Sequence, residues 1–208
     1  MNLKISLPLS CCNLYKMNVL LFDNHDSFSW NLSHDLERAG AIVVVVRPEA
    51  LEIDVEKQLT PFDAIVLSPG PGMPSEAPGL MVVLAVAVKL EKPILGVCLG
   101  LQAIVEFFGG ELENMNEVLH GRVGVMEFVE NCRIFENIHS GCEVGHYHSW
   151  CAVEESLPSD LSVIARSISN IVLAISHKTK PIIGLQFHPE SILTPDGRLM
   201  LENWVNSI

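Results

Sequence analysis

The segment Gly96-Val97-Cys98-Leu99-Gly100 places a cysteine between two glycines, where an apolar run meets a helix-like segment. Pro93–Val97 is typical of a buried strand, and Leu99–Phe108 is typical of the helix that follows it. This is the context of a nucleophile elbow, with cysteine in place of the serine of Gly-x-Ser-x-Gly. At a helix N-terminus the thiolate is favoured, because free N–H groups and the helix dipole stabilise the anion. Cys98 is therefore our candidate nucleophile, and a buried structural cysteine is the alternative interpretation.

A cysteine nucleophile needs a base, and the base needs a group that orients it. Among the eight histidines, His188 stands out because it ends the apolar run Ile182–Phe187 and is followed by Pro189 and Glu190. In an extended chain, residues two apart project to the same side. Glu190 can then hold the His188 ring in one tautomer. We predict that His188 is the base and that Glu190 orients it.

A third segment, Ser68-Pro69-Gly70-Pro71-Gly72, follows a predicted strand. Its glycines allow backbone N–H groups to approach a ligand, and its prolines stiffen the loop. Such a loop at the carboxyl end of a strand can donate hydrogen bonds to an oxyanion. It is not a Walker phosphate loop, because no Gly-Lys-Ser/Thr follows. A plain tight turn is the alternative interpretation.

Composition limits the function classes that these residues can serve. The chain has 208 residues, 49% of them hydrophobic, which is the size of one domain. Its formal charge of −12 argues against binding to nucleic acid or to an anionic membrane surface. The longest apolar segment, Leu80–Leu90, is too short to span a membrane. No cysteine pair has the Cys-x-x-Cys spacing of a zinc or thioredoxin-like site, so we expect no metal site, and we expect no cofactor. The chain is too long for a disulfide-dense secreted scaffold, so we expect free thiols and a cytoplasmic location; the six cysteines are Cys11, Cys12, Cys98, Cys132, Cys142 and Cys151.

The first half of the chain alternates strand-like and helix-like segments. The predicted strands are Asn18–Phe22, Ala41–Val46, Ala64–Leu67 and Pro93–Val97, and the predicted helices are Ser27–Ala39, Leu51–Leu59, Glu76–Leu90 and Leu99–Phe108. This alternation predicts an α/β fold with an open, mostly parallel, doubly wound sheet and helices on both faces. The β-branched run Ala41–Val46 further predicts a strand that is covered on both faces.

Beyond Gly110 the pattern changes to short strand-like runs separated by turns. These runs are Val123–Val129, Glu143–Tyr147, Ser162–Ser167, Ile171–His177 and Ile182–Phe187, followed by a predicted helix over Leu199–Val205. They predict mixed strands in the C-terminal half. We interpret residues 1–16 as a non-essential extension or a misplaced start. Residues 17–208 are then a single domain.

Six segments together resemble the triad-type, class I glutamine amidotransferases. Three carry the family resemblance: Ser68–Gly72, Pro93–Gln102 and Gly184–Ser191. Three others are similar to the small glutaminase subunit, component II, of anthranilate synthase and para-aminobenzoate (aminodeoxychorismate) synthase: Asp23–Leu32, His120–Arg122 and Tyr147–Ser149. The resemblance covers Met17–Ile208 in the family's order and spacing, and it implies a flavodoxin-like sheet.

The resemblance implies a role for each matching position. Cys98 would attack the carboxamide of L-glutamine, and His188, oriented by Glu190, would protonate the departing ammonia and later activate water. The backbone N–H groups of Gly70 and Leu99 would form the oxyanion hole. The substrate-binding positions are Gly70, Pro71, Gly72, Leu99, Gln102, Ser149 and Trp150. Trp150 stands where leucine is usual in the family.

The resemblance also implies a partner, a chorismate-binding synthase subunit (component I) that receives the ammonia. No chorismate or magnesium site is then expected in this chain, and the product is left open between anthranilate and para-aminobenzoate. Two alternatives stay open. The chain could serve another amidotransferase, such as carbamoyl phosphate synthetase or GMP synthetase, or it could be a non-enzymatic α/β protein with an oxidisable cysteine.

Overall fold

A nine-stranded mixed sheet forms the centre of the protein in a computed structural model that describes residues 16–208, with the backbone alone at 116 and 117. The strands are β1 (Asn18–Phe22), β2 (Ile42–Val46), β3 (Ala64–Leu67), β4 (Ile94–Val97), β5 (Leu112–Phe128), β6 (Cys142–Ala152), β7 (Leu161–Ser167), β8 (Val172–His177) and β9 (Ile182–Leu185). The α-helices are α1 (Ser29–Arg38), α2 (Val55–Leu59), α3 (Leu80–Lys89), α4 (Leu99–Phe107) and α5 (Gly197–Asn206). The predicted extension over residues 1–16 lies outside the described residues except for Lys16.

The sheet has a parallel half and an antiparallel half. The strand order is β2-β1-β3-β4-β9-β8-β7-β5-β6, and the first five strands in this order are parallel. The other pairings are antiparallel. One apolar cluster includes Leu36 of α1 and Trp204 of α5, and a second includes Leu84 of α3 and Ile104 of α4. The prediction of an α/β fold with a mostly parallel sheet, helices and mixed later strands is therefore confirmed.

Strand β2 differs from the prediction that it would be covered on both faces. It lies at the edge of the sheet, where Ile42 and Val44 are 46% and 43% exposed. Val46 is buried, and Val43 and Val45 pack against the core. A β-branched run favours a strand, but its composition alone does not determine whether other elements cover both of its faces.

Two predicted helices are shorter than expected. The segment predicted as helix Glu76–Leu90 is helical only from Leu80, because Gly79 has a φ of 78° and interrupts the regular backbone. The segment Leu51–Leu59 is helical over Val55–Leu59, where the Asp54 side chain accepts a hydrogen bond from the N–H of Lys57. No helix among residues 16–208 combines the length and the apolar character needed to cross a membrane.

The predicted strands Val123–Val129 and Glu143–Tyr147 are parts of one long hairpin, β5–β6. Its register runs from Leu112 opposite Ala152 to Met126 opposite Cys142, with two irregularities. Only Met126–Phe128 of β5 pairs with β7. Over most of its length β5 pairs with β6 and not with β7, so the hairpin can contribute side chains to a site away from β7.

Candidate active site

Three neighbouring parallel strands bring the three predicted segments together at the carboxyl ends of the strands. Ser68–Gly72 follows β3, Cys98 follows β4 and His188 lies three residues beyond β9. Strand β4 pairs with β3 on one side and with β9 on the other. Ligands of open α/β sheets bind at the carboxyl ends of their parallel strands.

Cys98 lies at a strained turn between β4 and α4. Its φ of 51° and ψ of −100° are unusual for a residue with a side chain, and its N–H donates to the Leu185 carbonyl oxygen at 2.7 Å. A Cβ at Gly96 would lie 2.5 Å from the backbone of Gly100, and a Cβ at Gly100 would lie 2.5 Å from the carbonyl oxygen of Leu67. The two glycines therefore allow the start of α4 to pack directly against β3 and β4.

His188 and Glu190 form a buried pair beside Cys98. The His188 Nδ1 atom donates to Glu190 Oε1 at 2.7 Å. The His188 Nε2 atom is buried and has no hydrogen-bond partner among the described residues. The rings of Phe28 and Tyr147 pack against the imidazole, with centroids 5.5 and 4.9 Å away. These contacts fix the orientation of the ring, with Nε2 free to exchange a proton with a reacting group.

The charge of His188 is governed by its two neighbours. Burial lowers the pKa of His188, but its interactions with Cys98 and Glu190 raise it more, to about 10. His188 is therefore protonated near neutral pH. A protonated imidazole next to a cysteine stabilises the thiolate, which is the nucleophilic form.

Two other cysteines lack such a neighbour. Burial, with a contribution from Asp196, raises the pKa of the Cys142 thiol to about 11. Burial also raises the pKa of Cys151 to about 11, with a contribution from Glu113. Both thiols are therefore protonated near neutral pH and are poor nucleophiles compared with a cysteine that lies beside an imidazolium.

The glycine and proline loop is anchored from β1. The N–H of Asn24 donates to Ser68 Oγ at 2.9 Å, and its side-chain amide donates to the Ser68 carbonyl at 3.0 Å. A Cβ at Gly70 would lie 2.6 Å from Asn24 Cβ and 2.7 Å from Leu99 Cδ2. Gly70 thus lies against Leu99, the first residue of α4, whose N–H has no acceptor within the helix.

Two pockets meet at Cys98. The larger, about 390 Å³, is also lined by His188, Phe28 and His120. The smaller, about 190 Å³, is below the range of about 300–1,000 Å³ typical of drug-sized ligands and suits a ligand as small as one amino acid. Six of the predicted substrate-binding residues line the smaller pocket: Gly70, Pro71, Gly72, Gln102, Ser149 and Trp150. The seventh, Leu99, lines neither pocket and is buried.

The structure adds contacts to the site that the sequence analysis did not assign. Gln186 is fully buried, and its side-chain amide donates to Cys98 Sγ at 3.6 Å. Tyr147 lines both pockets and shares a hydrogen bond with Ser191 between their hydroxyl oxygens, 3.0 Å apart. A polar residue two positions before His188 in an otherwise apolar run was the available signal for Gln186. Tyr147 belongs to the segment Tyr147–Ser149 that carries the family resemblance, but its contacts depend on the hairpin and could not be assigned from the sequence.

Comparison with known proteins agrees with this geometry. A family model described as class-I glutamine amidotransferase matches residues 20–208. The chain is 38% identical over 190 residues to aminodeoxychorismate/anthranilate synthase component 2 of Bacillus subtilis, covering 91% of this chain and 96% of that protein. It is 41% identical over 189 residues to a multifunctional tryptophan biosynthesis protein of Pichia angusta, covering 91% of this chain. The chain spans 51% of that protein's length and 25% of a similarly named protein of Phycomyces blakesleeanus.

A solved structure shares the fold along most of the chain. It is a putative GMP synthase component of Thermoplasma acidophilum, with a TM-score of 0.82 and 26% sequence identity. The alignment covers 92% of this chain and 94% of that one. Since the family model also spans nearly the whole described chain, this protein belongs to the class-I glutamine amidotransferases.

Proposed function

We propose that this chain is a glutaminase component that hydrolyses L-glutamine and passes the ammonia to a chorismate-binding synthase subunit. The observation that carries the proposal is the position of Cys98. It lies between a buried histidine–glutamate pair and a small pocket lined by Gln102, Ser149 and Trp150. The similarity to component 2 proteins supports glutamine as the substrate and a component I synthase as the partner.

The proposed reaction proceeds through a γ-glutamyl thioester. The Cys98 thiolate attacks the carboxamide carbon of glutamine, and the N–H groups of Gly70 and Leu99 stabilise the oxyanion that forms. His188 transfers its Nε2 proton to the departing nitrogen, which leaves as ammonia. Neutral His188 then takes a proton from water, whose oxygen attacks the thioester and releases glutamate and the Cys98 thiolate. Glu190 stabilises the imidazolium at both steps.

The test of this function compares two nitrogen sources in the assembled complex. Cys98→Ser should abolish glutamine-dependent synthesis but leave ammonia-dependent synthesis intact, because free ammonia bypasses the thiolate. A glutamine-like electrophile should label Cys98 in preference to the other thiols. The matched control Cys142→Ser should keep both activities. Glutamine-dependent activity in Cys98→Ser would overturn the assignment of the nucleophile.

The same experiment separates the alternative functions. If the glutaminase supplies ammonia to a GMP synthetase-type acceptor and not to a chorismate-binding one, the proposed partner is wrong but the proposed glutaminase activity is correct. No glutamine hydrolysis with any acceptor would favour a non-enzymatic protein. Product identification then decides between anthranilate and para-aminobenzoate.

We further propose that residues 17–208 are the functional domain and that it works in the cytoplasm. The four cysteines among the described residues are all free thiols, which is typical of a reducing compartment. A variant that begins at Met17 should fold and retain glutaminase activity with its partner. Loss of folding in this variant would contradict the interpretation of residues 1–16 as a non-essential extension.

A further inference from the structure

Strand β6 carries two buried histidines that the proposed reaction does not use as bases. His146 and His148 are two residues apart on the strand, so their side chains project to the same side. Both are at least nine-tenths buried, and His146 Nδ1 lies 3.0 Å from His148 Nε2. His148 lines the smaller pocket beside Cys98, whereas His146 lines neither of the two pockets that meet there.

The hydrogen bonds of this pair have a defined direction. His148 Nδ1 lies 2.9 Å from the Trp150 carbonyl oxygen, which can only accept, so Nδ1 carries the proton. Burial and the neighbouring histidines lower the pKa of His146 and of His148 to about 4, so both rings are neutral near pH 7. The Nε2 atom of neutral His148 is then an acceptor. His146 Nδ1 must therefore be the donor to it.

The Trp150 carbonyl connects this pair to the nucleophile. It also accepts from the side-chain amide of Gln102 at 3.1 Å. That amide lies 3.4 Å from Gln186 Oε1, and the Gln186 amide in turn donates to Cys98 Sγ at 3.6 Å. The Trp150 carbonyl therefore fixes the rotamer of Gln102, a polar residue that lines the smaller pocket. It also fixes the wall of that pocket.

The fold makes room for the His146 ring at one position of β5. A Cβ at Gly124 would lie 2.3 Å from His146 Nε2, so any larger residue would displace the ring. The strand itself is tied to the catalytic segment, because the N–H of His188 donates to the Gly145 carbonyl at 3.1 Å. The His146 ring therefore has Gly124 against its Nε2 atom and His148 against its Nδ1 atom.

From this arrangement we infer that His146 is a positioning residue for glutamine binding: its Nδ1 proton sets the tautomer of His148, which holds the Trp150 carbonyl and, with it, Gln102 in the glutamine pocket. This inference rests on the proposed function. Without the donor, His148 Nε2 is a buried acceptor with no partner. The ring can then change tautomer and release the carbonyl, which weakens substrate binding more than it slows the chemical steps.

The experiment is steady-state kinetics of glutamine hydrolysis by the complex with its synthase partner. His146→Phe keeps a ring but removes the donor, and it should raise KM for glutamine about tenfold while changing kcat by less than about threefold. His146→Asn places an amide N–H near the position of Nδ1 and should restore most of the affinity. The control is His177→Phe, which removes a hydrogen-bonded imidazole at the end of β8 and should leave KM unchanged.

Three results would overturn the inference while leaving the proposed function intact. They are an unchanged KM in His146→Phe, an equal KM in His146→Asn and His146→Phe, and the same increase in His177→Phe. Loss of Cys98-dependent glutamine hydrolysis in the wild-type complex would instead overturn the proposed function.

A second measurement needs no variant and decides the case if His146→Phe does not fold. Imidazole ¹⁵N chemical shifts of the wild-type protein distinguish protonated from bare ring nitrogens. Near pH 7 we expect both His146 and His148 to carry their proton on Nδ1. A proton on Nε2 of either ring, or a doubly protonated ring, would contradict the inferred hydrogen-bond direction.

Discussion

At the scale of single residues, the site depends on the charge of His188 beside Cys98. The pKa of His188 is raised to about 10 even though burial opposes its charge, because Cys98 and Glu190 interact with the imidazole. Burial raises the pKa of the Cys142 and Cys151 thiols to about 11, with contributions from Asp196 and Glu113. Cys98 differs from these two thiols in that it lies beside the imidazole of His188.

The two partners of Cys98 should contribute unequally to glutamine hydrolysis. His188→Ala removes the proton donor and acceptor and should lower kcat by about 10²–10⁴-fold. Glu190→Gln keeps an oxygen that can accept from Nδ1 but loses the charge, so it should cost less. The double variant should be no slower than His188→Ala, because the residues act as a unit. Steady-state glutaminase kinetics measure this, and wild-type activity in His188→Ala would rule out His188 as the base.

At the scale of secondary structure, the site depends on the close approach of the start of α4 to β3 and β4. The elbow glycines permit contacts that a Cβ would prevent, and the strained backbone of Cys98 is the consequence of so sharp a turn. Asn24 holds the loop after β3 beside this turn through its hydrogen bonds to Ser68. The geometry of the site is thus determined by backbone contacts between neighbouring elements.

Gly100→Ala should damage catalysis beyond its effect on stability. The added Cβ would lie 2.5 Å from the Leu67 carbonyl oxygen, so the start of α4 must shift. A displacement of about 1 Å at a reacting group can cost about 10²-fold in rate. Activity per folded molecule should therefore fall steeply, as measured by kcat below the melting temperature.

The control for this prediction lies at the other end of the same helix. Gly109 follows α4 with a φ of 93° and has open space around it, so Gly109→Ala strains the helix end without touching the elbow. It should lower the melting temperature and leave kcat nearly unchanged. Equal kcat values in the two variants would show that Gly100 matters for stability alone.

At the scale of the whole molecule, buried neutral histidines make folding sensitive to acid. The pKa values of His146 and His148 are lowered to about 4 by burial, whereas an unfolded histidine titrates near 6.5. Between these values the unfolded chain binds more protons than the folded one, so stability falls as the pH falls. His188 has the opposite sign, and its contribution is lost as the pH rises toward about 10.

The acid dependence can be assigned with one substitution. Between pH 7 and 5.5, His146 and His148 should each lower the free energy of unfolding by about 1 kcal/mol. His146→Asn removes one of the two groups and should reduce the loss by about that amount, as measured by urea denaturation at both pH values. His34→Asn, at an exposed position of α1, is the control and should leave the loss unchanged. An identical loss in wild type and His146→Asn would contradict the assignment.

The sequence by itself determined the local chemistry of this protein. Strand–turn–helix patterning identified Cys98 at the start of α4. The sequence also paired His188 with Glu190, and their side chains form a hydrogen bond, although Pro189 and Glu190 lie in a turn and not in the extended chain that the two-residue spacing assumed. The alternation of strands and helices predicted the α/β fold, because hydrophobic periodicity is a property of each segment alone. The resemblance to a known family supplied the proposed substrate, which spacing alone could not.

Only the tertiary structure decided which distant segments meet. Strand β2 lies at the sheet edge, and the β5–β6 hairpin brings Tyr147–Trp150 to Cys98 although β6 is last in the strand order. The contacts of Gln186 with Cys98 and of His146 with His148 depend on these placements. The sequence of a segment determines its hydrophobic periodicity and its turns. Which segments pack against each other depends on how the whole chain buries its apolar surface, and no single segment contains that information.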